Sequence, residues 1–201
     1  MTGVILAGGE NRRFPTLKGF IKIGDSTIIE KNLSLMKGMF NEVFISTNMP
    51  EKYFYLGVPL IGDALPSQGP MSGIYSALIN AKGDCVFAVA CDMPFIKREV
   101  ISFICDRHAD LRSQAIDAVI PIYNNEPQPL LGVYCKTALP YLESHLVDYV
   151  LKEKTTSMRR LLSEINTHFI GESDIMTIDP DGRSFVNINT PDDYEKLIAI
   201  S

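Results

Sequence analysis

Short apolar runs alternate with amphipathic stretches along this chain. Because a parallel strand reaches its neighbour through a long crossover, usually a helix, this alternation predicts a mostly parallel sheet with helices packed on it. The predicted strands are Gly3 to Leu6, Glu42 to Thr47, Val58 to Ile61, Cys85 to Ala90, Ala118 to Pro121 and Leu130 to Tyr134. The predicted helices are Thr27 to Met39, Met71 to Ala81, Lys97 to Ala109, Leu139 to Val150, Ser157 to Ile165 and Pro191 to Ile200. The fold class is therefore predicted to be α/β, with a Rossmann-like three-layer arrangement.

Length and charge limit the possible functions. A chain of 201 residues that is 46% hydrophobic can bury one sizeable core but not comfortably two, so we expect one domain over residues 1–201. A formal net charge of -5 argues against general nucleic-acid binding, which normally requires a basic face. A small molecule is the expected partner.

The cysteines and histidines carry no recognisable site motif. Cys85, Cys91, Cys105 and Cys135 form no C-x-x-C pair and have no accompanying histidine cluster, which predicts reduced core thiols rather than a zinc site or a disulfide framework. The three histidines, at positions 108, 145 and 168, are expected to be solvated. No leader pattern or run of about 20 apolar residues is present, which predicts a cytoplasmic protein with no membrane partner.

A glycine-rich loop follows the first predicted strand. Gly8 and Gly9 allow the backbone to turn and to present N–H groups to an anion, while Arg13 and Lys18 supply positive charge for phosphate oxygens. This arrangement favours a nucleotide site. A plain turn from strand to helix with solvated cations is the alternative, because short glycine motifs often match by chance.

Polar residues follow the ends of several predicted strands. Gly8-Gly9 follows the first strand, Ser46-Thr47-Asn48 the second, Asp63 the third and Cys91-Asp92 the fourth. Ligands of open parallel sheets bind outside the carboxyl ends of the strands, so these segments are expected to face one crevice.

Asp92 is the strongest candidate for a metal ligand. It follows a continuously apolar strand and precedes Pro94, so its carboxylate should be fixed at the end of a buried strand. Such a group suits Mg²⁺, which binds one or two carboxylates together with phosphate oxygens and water. Alternatively, Asp92 caps the following helix or turn.

Two further segments offer polar groups to a ligand. The stretch from Gly69 to Gly73 precedes or begins a helix, whose first N–H groups and positive dipole end can hold an anionic or polar edge. Asn187 and Asn189 are two residues apart, so both amides should project from the same side of a short strand.

Four ordered motifs carry a resemblance to a known family. They are Leu6-Ala7-Gly8-Gly9 with Arg13 and Lys18, the segment Asp63 to Gly73, Ala90-Cys91-Asp92-Met93-Pro94, and the segment Asn187 to Asp193. Together they resemble the molybdenum cofactor guanylyltransferases, the MobA family of nucleotidyltransferases, over almost the whole chain. The resemblance implies a fold of the nucleotide-diphospho-sugar transferase type.

The resemblance also implies a role for each matching residue. Arg13, Lys18 and Asp92 would be catalytic, with Asp92 holding Mg²⁺ and the two cations contacting the triphosphate. Asn187 and Asn189 would lie beside the acceptor or the metal. The nucleotide would be bound by Leu6, Ala7, Gly8, Gly9, Lys18, Ser46, Asp63, Gly69, Gly73 and Asp92.

The implied reaction is transfer of GMP from GTP to the molybdopterin cofactor, with release of pyrophosphate. Cofactor-biosynthesis proteins and acceptor molybdoenzymes would be protein partners. Guanine is favoured because related cytidylyl enzymes tend to carry alanine where Gly8 stands. The chain departs from the family at Pro15, where a glycine is usual, in a shorter interval between Arg13 and Lys18, and at Ser46, where some relatives have asparagine.

Two alternatives remain open from the sequence. The first is another nucleotidyltransferase, which would make a cytidine dinucleotide cofactor or a nucleotide-sugar. The second is a non-catalytic nucleotide-binding module that keeps the fold but has lost transfer activity through its altered loop.

Overall fold

The protein is described by a computed structural model that covers residues 1–8, 17–65, 69–152 and 157–188. Ten strands are found in these ranges. They are β1 Thr2–Leu6, β2 Lys22–Ile23, β3 Ser26–Thr27, β4 Val43–Ser46, β5 Leu60–Ile61, β6 Cys85–Ala90, β7 Ala118–Tyr123, β8 Glu126–Pro127, β9 Leu131–Cys135 and β10 Thr167–Ile170.

Seven α-helices connect and cover these strands within the described ranges. They are α1 Ile28–Lys37, α2 Pro50–Tyr53, α3 Pro70–Asn80, α4 Arg98–Asp110, α5 Leu139–Lys152, α6 Met158–Glu164 and α7 Glu172–Ile178. Local sequence sets the beginnings of two of them. Thr27 and Glu30 form a reciprocal capping box at α1, and Gly69 precedes α3 with a φ of 107° that favours glycine, with Pro70 in the first turn.

The main sheet has the strand order β10-β7-β9-β6-β1-β4-β5, and β8 pairs with β7. Strands β6, β1, β4 and β5 are parallel to one another, and β10 is parallel to β7. Strand β9 runs antiparallel to both β6 and β7. This mostly parallel sheet confirms the predicted fold class.

Two apolar clusters cover the two faces of the sheet. One face packs against Leu33 of α1 and Ile101 of α4, and the other packs against Ile74 of α3 and Leu142 of α5. In β1 the alternation of side chains sends Val4 and its neighbour Ile5 to opposite faces. The result is the three-layer arrangement that the sequence predicts, with the loops at the strand ends left to form sites.

The predicted elements that fall on described residues agree with the observed ones to within a few residues, and β6 has the same bounds in both. Several short elements are not predicted from the sequence: β10, α2, α7, the small β2 and β3 pair and the two-residue β8. Short elements carry too few periods of alternation to be read from the pattern. The predicted last helix, Pro191 to Ile200, lies outside the described residues.

The prediction of four reduced thiols is wrong for two of them. Cys85 and Cys135 are opposite partners of the antiparallel β6 and β9 pair, and a disulfide joins them. Their sequence separation of 50 residues concealed this proximity. Two of the histidines are also not simply solvated. His108 Nε2 lies 3.3 Å from Cys135 Sγ and 3.5 Å from Cys85 Sγ. The His145 side chain is only 9% exposed, and its Nε2 lies 2.7 Å from Glu164 Oε2.

Within the described ranges, no helix is both long and apolar enough to cross a bilayer.

Gly132 is a position at which the sheet has no room for a side chain. It lies in β9, and a Cβ built there would be 2.6 Å from the carbonyl oxygen of Val119 and 2.7 Å from Cδ1 of Ile120. We expect Gly132→Ala to lower the free energy of unfolding by about 1–3 kcal/mol, because the backbone oxygen cannot move aside cheaply. Urea titration followed by circular dichroism measures the change.

The matched control is Gly171→Ala. There the nearest atom to the new Cβ is Ser173 Oγ at 3.7 Å, an ordinary contact, so a loss below about 1 kcal/mol is expected. Equal losses in the two variants would contradict the packing argument at Gly132.

Candidate functional site

The carboxyl ends of β1, β4 and β6 meet at one edge of the sheet. Their loops are joined by backbone hydrogen bonds, from Ala7 N to Ser46 O at 2.8 Å and from Cys91 N to Leu6 O at 3.1 Å. Leu6 and Ala7 are buried, whereas Gly8 is exposed. Among the described residues other than its chain neighbours, no heavy atom lies within 4 Å of a Cβ built on Gly8. The end of β1 therefore places open backbone at Gly8 directly beside the end of β6.

Lys18 and Asp92 form the charged centre of this edge. Lys18 Nζ donates a hydrogen bond to Asp92 Oδ2 at 3.0 Å, and both side chains are partly buried, with 23% and 18% of their surface exposed. The two residues are 74 positions apart in sequence. A partly desolvated pair of this kind can present both a cation and a carboxylate oxygen to a phosphate-bearing ligand.

A short helical turn positions Lys18. Gly19, in the same 3₁₀ turn, is buried, and a Cβ built on it would lie 3.4 Å from Cβ of Ile29 and 3.6 Å from Cβ of Cys91. Phe20 packs on Tyr53, with 5.1 Å between ring centroids. The segment that carries Lys18 therefore packs closely against the segment that carries Asp92.

The segment before the end of the described chain also reaches Asp92. Ile188 N donates to the carbonyl oxygen of Asp92 at 3.1 Å, and the buried Ile188 side chain packs with Ile21 and Ile28. The preceding residue, Asn187, has a buried Oδ1 that accepts no hydrogen bond from the described residues. Asn187 thus brings a buried oxygen, which can accept a hydrogen bond or bind a cation, close to the Asp92 loop.

A buried carboxylate ties this segment to α4. Asp179 pairs with Lys97 Nζ at 2.5 Å and accepts a hydrogen bond from Ser184 N at 2.7 Å, while Ser184 Oγ accepts from Lys97 N. Burial acts to raise the pKa of Asp179, but the bonds to Lys97 and Ser184 outweigh burial and hold that pKa below its ordinary value. This clamp fixes the path of the chain that leads to Asn187.

Asp63 is held by a two-way contact with Asn48. Asn48 Nδ2 donates to Asp63 Oδ2 at 2.7 Å, and Asp63 N donates to Asn48 Oδ1 at 2.9 Å. Burial raises the pKa of Asp63, and the bond from Asn48 partly opposes that rise. The buried Ser76 Oγ, in α3, accepts from Ala64 N and fixes the next residue.

Ser46 and Gly73 are in close contact. Ser46 is buried at the end of β4, and a Cβ built on Gly73 would lie only 2.6 Å from Ser46 Oγ and 3.0 Å from Cδ2 of Leu6. Gly73 is therefore needed for the approach of α3 to the sheet, and Gly69 sets the beginning of that helix. Ser46 is buried, whereas Asn48, two residues later, is exposed and carries a side-chain amide.

Cys91, although adjacent to Asp92, is not a reactive group. Burial raises the pKa of its thiol to about 12, and the Asp92 charge adds to the rise. The thiol therefore stays protonated and serves as packing.

The described residues contain most of the candidate positions. They bring Leu6, Ala7, Gly8, Lys18, Ser46, Asp92 and Asn187 to the edge formed by β1, β4 and β6, with Asp63, Gly69 and Gly73 at the adjoining loop and helix start. Gly9, Arg13 and Asn189 lie outside the described residues. Ser76 and the Asp179 clamp are not predicted from the sequence. Ser76 carries no local signal because it stands inside a helix.

Comparison with known proteins identifies similar sequences over the whole chain. Residues 3–168 match the model of the MobA-like NTP transferase domain. A probable molybdenum cofactor guanylyltransferase of Clostridium perfringens strain 13 is 34% identical over 98% of this chain and 96% of its own length. A molybdenum cofactor guanylyltransferase of Desulfosudis oleivorans is 32% identical over 99% and 95%.

Solved structures show the same fold. The molybdopterin-guanine dinucleotide biosynthesis protein A of Archaeoglobus fulgidus superposes with a TM-score of 0.84 at 25% identity, over 100% of this chain and 98% of that protein. The 4-diphosphocytidyl-2C-methyl-D-erythritol synthase of Anaerococcus prevotii has a TM-score of 0.70 at 13% identity, over 99% and 94%, which shows a shared fold only.

The Asp179 clamp generates a prediction about stability and pH. Asp179→Asn should lower the free energy of unfolding at pH 7 by about 1–3 kcal/mol, because a buried charged hydrogen-bond network loses its anion. Since the folded pKa of Asp179 is lowered, its contribution is complete above the ordinary aspartate pKa and is lost as pH falls toward the folded value. The difference in unfolding free energy between wild type and variant should therefore decrease as the pH falls. Urea unfolding at a series of pH values from 7 downward measures it.

Asp181→Asn is the matched control, because Asp181 is exposed and only two residues away. Its stability should stay within about 0.5 kcal/mol of wild type at every pH. If Asp179→Asn lowered the unfolding free energy by the same amount at every pH, the ionised carboxylate would not be the stabilising form.

Proposed function

Because the chain belongs to the family of MobA-like NTP transferases, we propose that it transfers GMP from GTP to the molybdopterin cofactor. The products are molybdopterin guanine dinucleotide and pyrophosphate. The chain is a nucleotidyltransferase by its family, and guanylyl transfer is the activity in the names of curated relatives to which it is similar. Cytidylyl transfer, sugar-phosphate activation and a non-catalytic module have no comparable support.

The pair of Lys18 and Asp92 is the observation that carries this proposal. Its position at the carboxyl end of the central strand β6, beside the exposed Gly8, matches the place where open parallel sheets bind nucleotides. A cation and a carboxylate at this place can serve the triphosphate and its metal together. No separate catalytic base is required, because a phosphate monoester is already an anionic nucleophile near neutral pH.

The residues act mainly by alignment and charge neutralisation. Lys18 can move from Asp92 onto phosphate oxygens and stabilise the negative charge that grows on the α-phosphoryl group and on the leaving pyrophosphate. We propose the same role for Arg13. The turn that carries Lys18 packs against Cys91. This packing would hold the Lys18 ammonium group close to the reacting phosphate, so that the bound triphosphate is also oriented for the reaction.

The oxygen donors at this edge fit a hard divalent cation. Asp92 offers a carboxylate, and Asn187 Oδ1, which has no hydrogen-bond partner among the described residues, lies in the segment bonded to the Asp92 backbone. We propose that Asp92 holds Mg²⁺, with Asn187 nearby. When bound, Mg²⁺ would neutralise phosphate charge and favour the departure of pyrophosphate.

The remaining candidates are proposed to bind the two substrates. Backbone groups of Leu6, Ala7, Gly8 and Gly9 would face the phosphates, while Asp63, Ser46 and the start of α3 at Gly69 and Gly73 would line the nucleoside. The hold of Asn48 on Asp63 supports a fixed carboxylate at that place. Asn187 and Asn189 would contact the molybdopterin acceptor.

The wider assignments are also proposals. We propose that residues 1–201 work as one nucleotidyltransferase domain in the cytoplasm, where GTP is available. The single main sheet with a core cluster on each face supports one domain. Acceptor molybdoenzymes and cofactor-biosynthesis proteins are the proposed protein partners.

Nucleotide choice tests the proposed activity. Purified protein with Mg²⁺ and molybdenum cofactor should release pyrophosphate from GTP, and much less from CTP, ATP or UTP. A coupled pyrophosphate assay with each nucleotide at equal concentration measures the preference. Release from CTP alone would retain the mechanism but contradict guanylyl transfer, and no release from any nucleotide would contradict catalysis with this acceptor.

Variants of the central pair test its role. Asp92→Asn and Lys18→Met should each lower kcat/KM for GTP by at least about 100-fold, because each removes a group that stabilises the transition state. The effects should be strongly non-additive in the double variant, since the two side chains act on one phosphate centre.

Lys82→Met is a matched control, because Lys82 also pairs with a carboxylate, Glu42, but is 92% exposed and distant from the edge. It should keep wild-type kcat/KM. Activity of Asp92→Asn within threefold of wild type would show that Asp92 does not hold the catalytic metal.

A further inference from the structure

A second cluster of chemically reactive side chains lies at the opposite end of β6. Cys85 begins that strand and faces Cys135 at the end of β9, with 4.0 Å between their Cα atoms and a disulfide between their sulfurs. The backbone bonds of Cys135 N to Asp117 O and of Lys136 N to Asp84 O flank the pair. Asp92, by contrast, lies two residues beyond the other end of the same strand.

An imidazole touches both sulfurs. His108 Nε2, on α4, lies 3.3 Å from Cys135 Sγ and 3.5 Å from Cys85 Sγ. Burial lowers the pKa of His108, and the positive charges of Arg112 and of the N-terminal ammonium lower it further. The ring is therefore mostly neutral near pH 7 and can accept a proton at the nitrogen beside the sulfurs.

A cavity gives access to this group. Its volume is about 1030 Å³, and its walls include Met1, Cys85, Arg112, Cys135 and Lys136 as well as His108. Cys85 is partly exposed, whereas only 6% of the Cys135 surface is exposed. Cys85 is therefore the more accessible of the two cysteines, which favours attack at its sulfur with Cys135 as the leaving group.

We propose that Cys85, Cys135 and His108 form a thiol–disulfide exchange site for small dithiols and disulfides. One sulfur of the dithiol loses its proton to His108 and attacks Cys85 Sγ. The bond between the two cysteine sulfurs breaks, Cys135 Sγ leaves with the electron pair, and His108 delivers the proton to it.

The second half of the exchange accounts for the remaining thiol, electrons and protons. The other thiol of the reductant attacks the mixed disulfide at its own partner sulfur, which closes the reductant into a cyclic disulfide and leaves Cys85 as a thiol. Two electrons and two protons have then passed from the dithiol to the protein. A disulfide oxidant drives the same steps in reverse.

Thiol counting on the full chain tests the proposal. The protein is first treated with glutathione disulfide, then unfolded and alkylated. Two cysteines, Cys91 and Cys105, should then be alkylated. After treatment with dithiothreitol instead, all four cysteines should be alkylated. His108→Gln should slow this reduction by at least about tenfold, because glutamine cannot relay the proton. The rate constant comes from alkylation at timed intervals followed by mass spectrometry.

Cys105→Ser is the matched control, because Cys105 lines the same cavity. It should be reduced at the wild-type rate, with one modifiable cysteine fewer. An independent variant, Cys135→Ser, should take up one glutathione at Cys85, as located by peptide mapping. Nucleotidyl transfer in the His108 and Cys105 variants should stay at the wild-type level, which shows that they fold.

Three results would overturn the proposal. The first is a count of four free thiols after oxidation, and the second is an unchanged rate of reduction in His108→Gln. The third is retention of one Zn²⁺ by the reduced wild type, but not by Cys135→Ser, after gel filtration in Zn²⁺-free buffer. That result would assign the three donors, which lie within 4.8 Å of one another, to a metal site instead.

Discussion

Parallel pairing of β4, β1 and β6 determines where the chemistry of this protein can be placed. Because these strands run in the same direction, their carboxyl ends meet, and the bonds from Ala7 N to Ser46 O and from Cys91 N to Leu6 O lock the three loops together. Lys18 and Asp92 can form a pair across 74 residues only on this support. The packing of α3 through Gly73 and the clamp at Asp179 then complete the surroundings of that pair.

The sequence predicted the fold class because long apolar runs with clear periodicity dominate the sheet. The apolar run from Cys85 to Ala90 predicts a strand with the bounds that the structure shows. It therefore also predicts that Asp92 lies just beyond the end of a strand. The sequence does not predict the hydrogen bonds between Asn48 and Asp63 or the burial of Asp179. Each depends on contacts between segments that no local sequence pattern connects. Cys85 and Cys135 show the same limit, since only the antiparallel register of β9 brings them together.

The two ends of β6 differ in chemistry. At its carboxyl end lie the opposite charges of Asp92 and Lys18, while at its amino end lie the sulfurs of Cys85 and Cys135 and the imidazole of His108. The first group is the one proposed to serve nucleotidyl transfer, and the second is separated from it by the length of the strand. A rigid central strand allows both to exist in one chain without sharing residues.

The fate of the phosphorus atoms of GTP tests the central claim most directly. Protein with Mg²⁺ and molybdenum cofactor would be given GTP labelled with ³²P at either the α- or the γ-phosphate, and the products would be separated by chromatography. The account predicts that the α label enters the guanine dinucleotide form of molybdopterin and that the γ label leaves in pyrophosphate. Appearance of the γ label as inorganic phosphate, with no label from the α position in the cofactor, would contradict it.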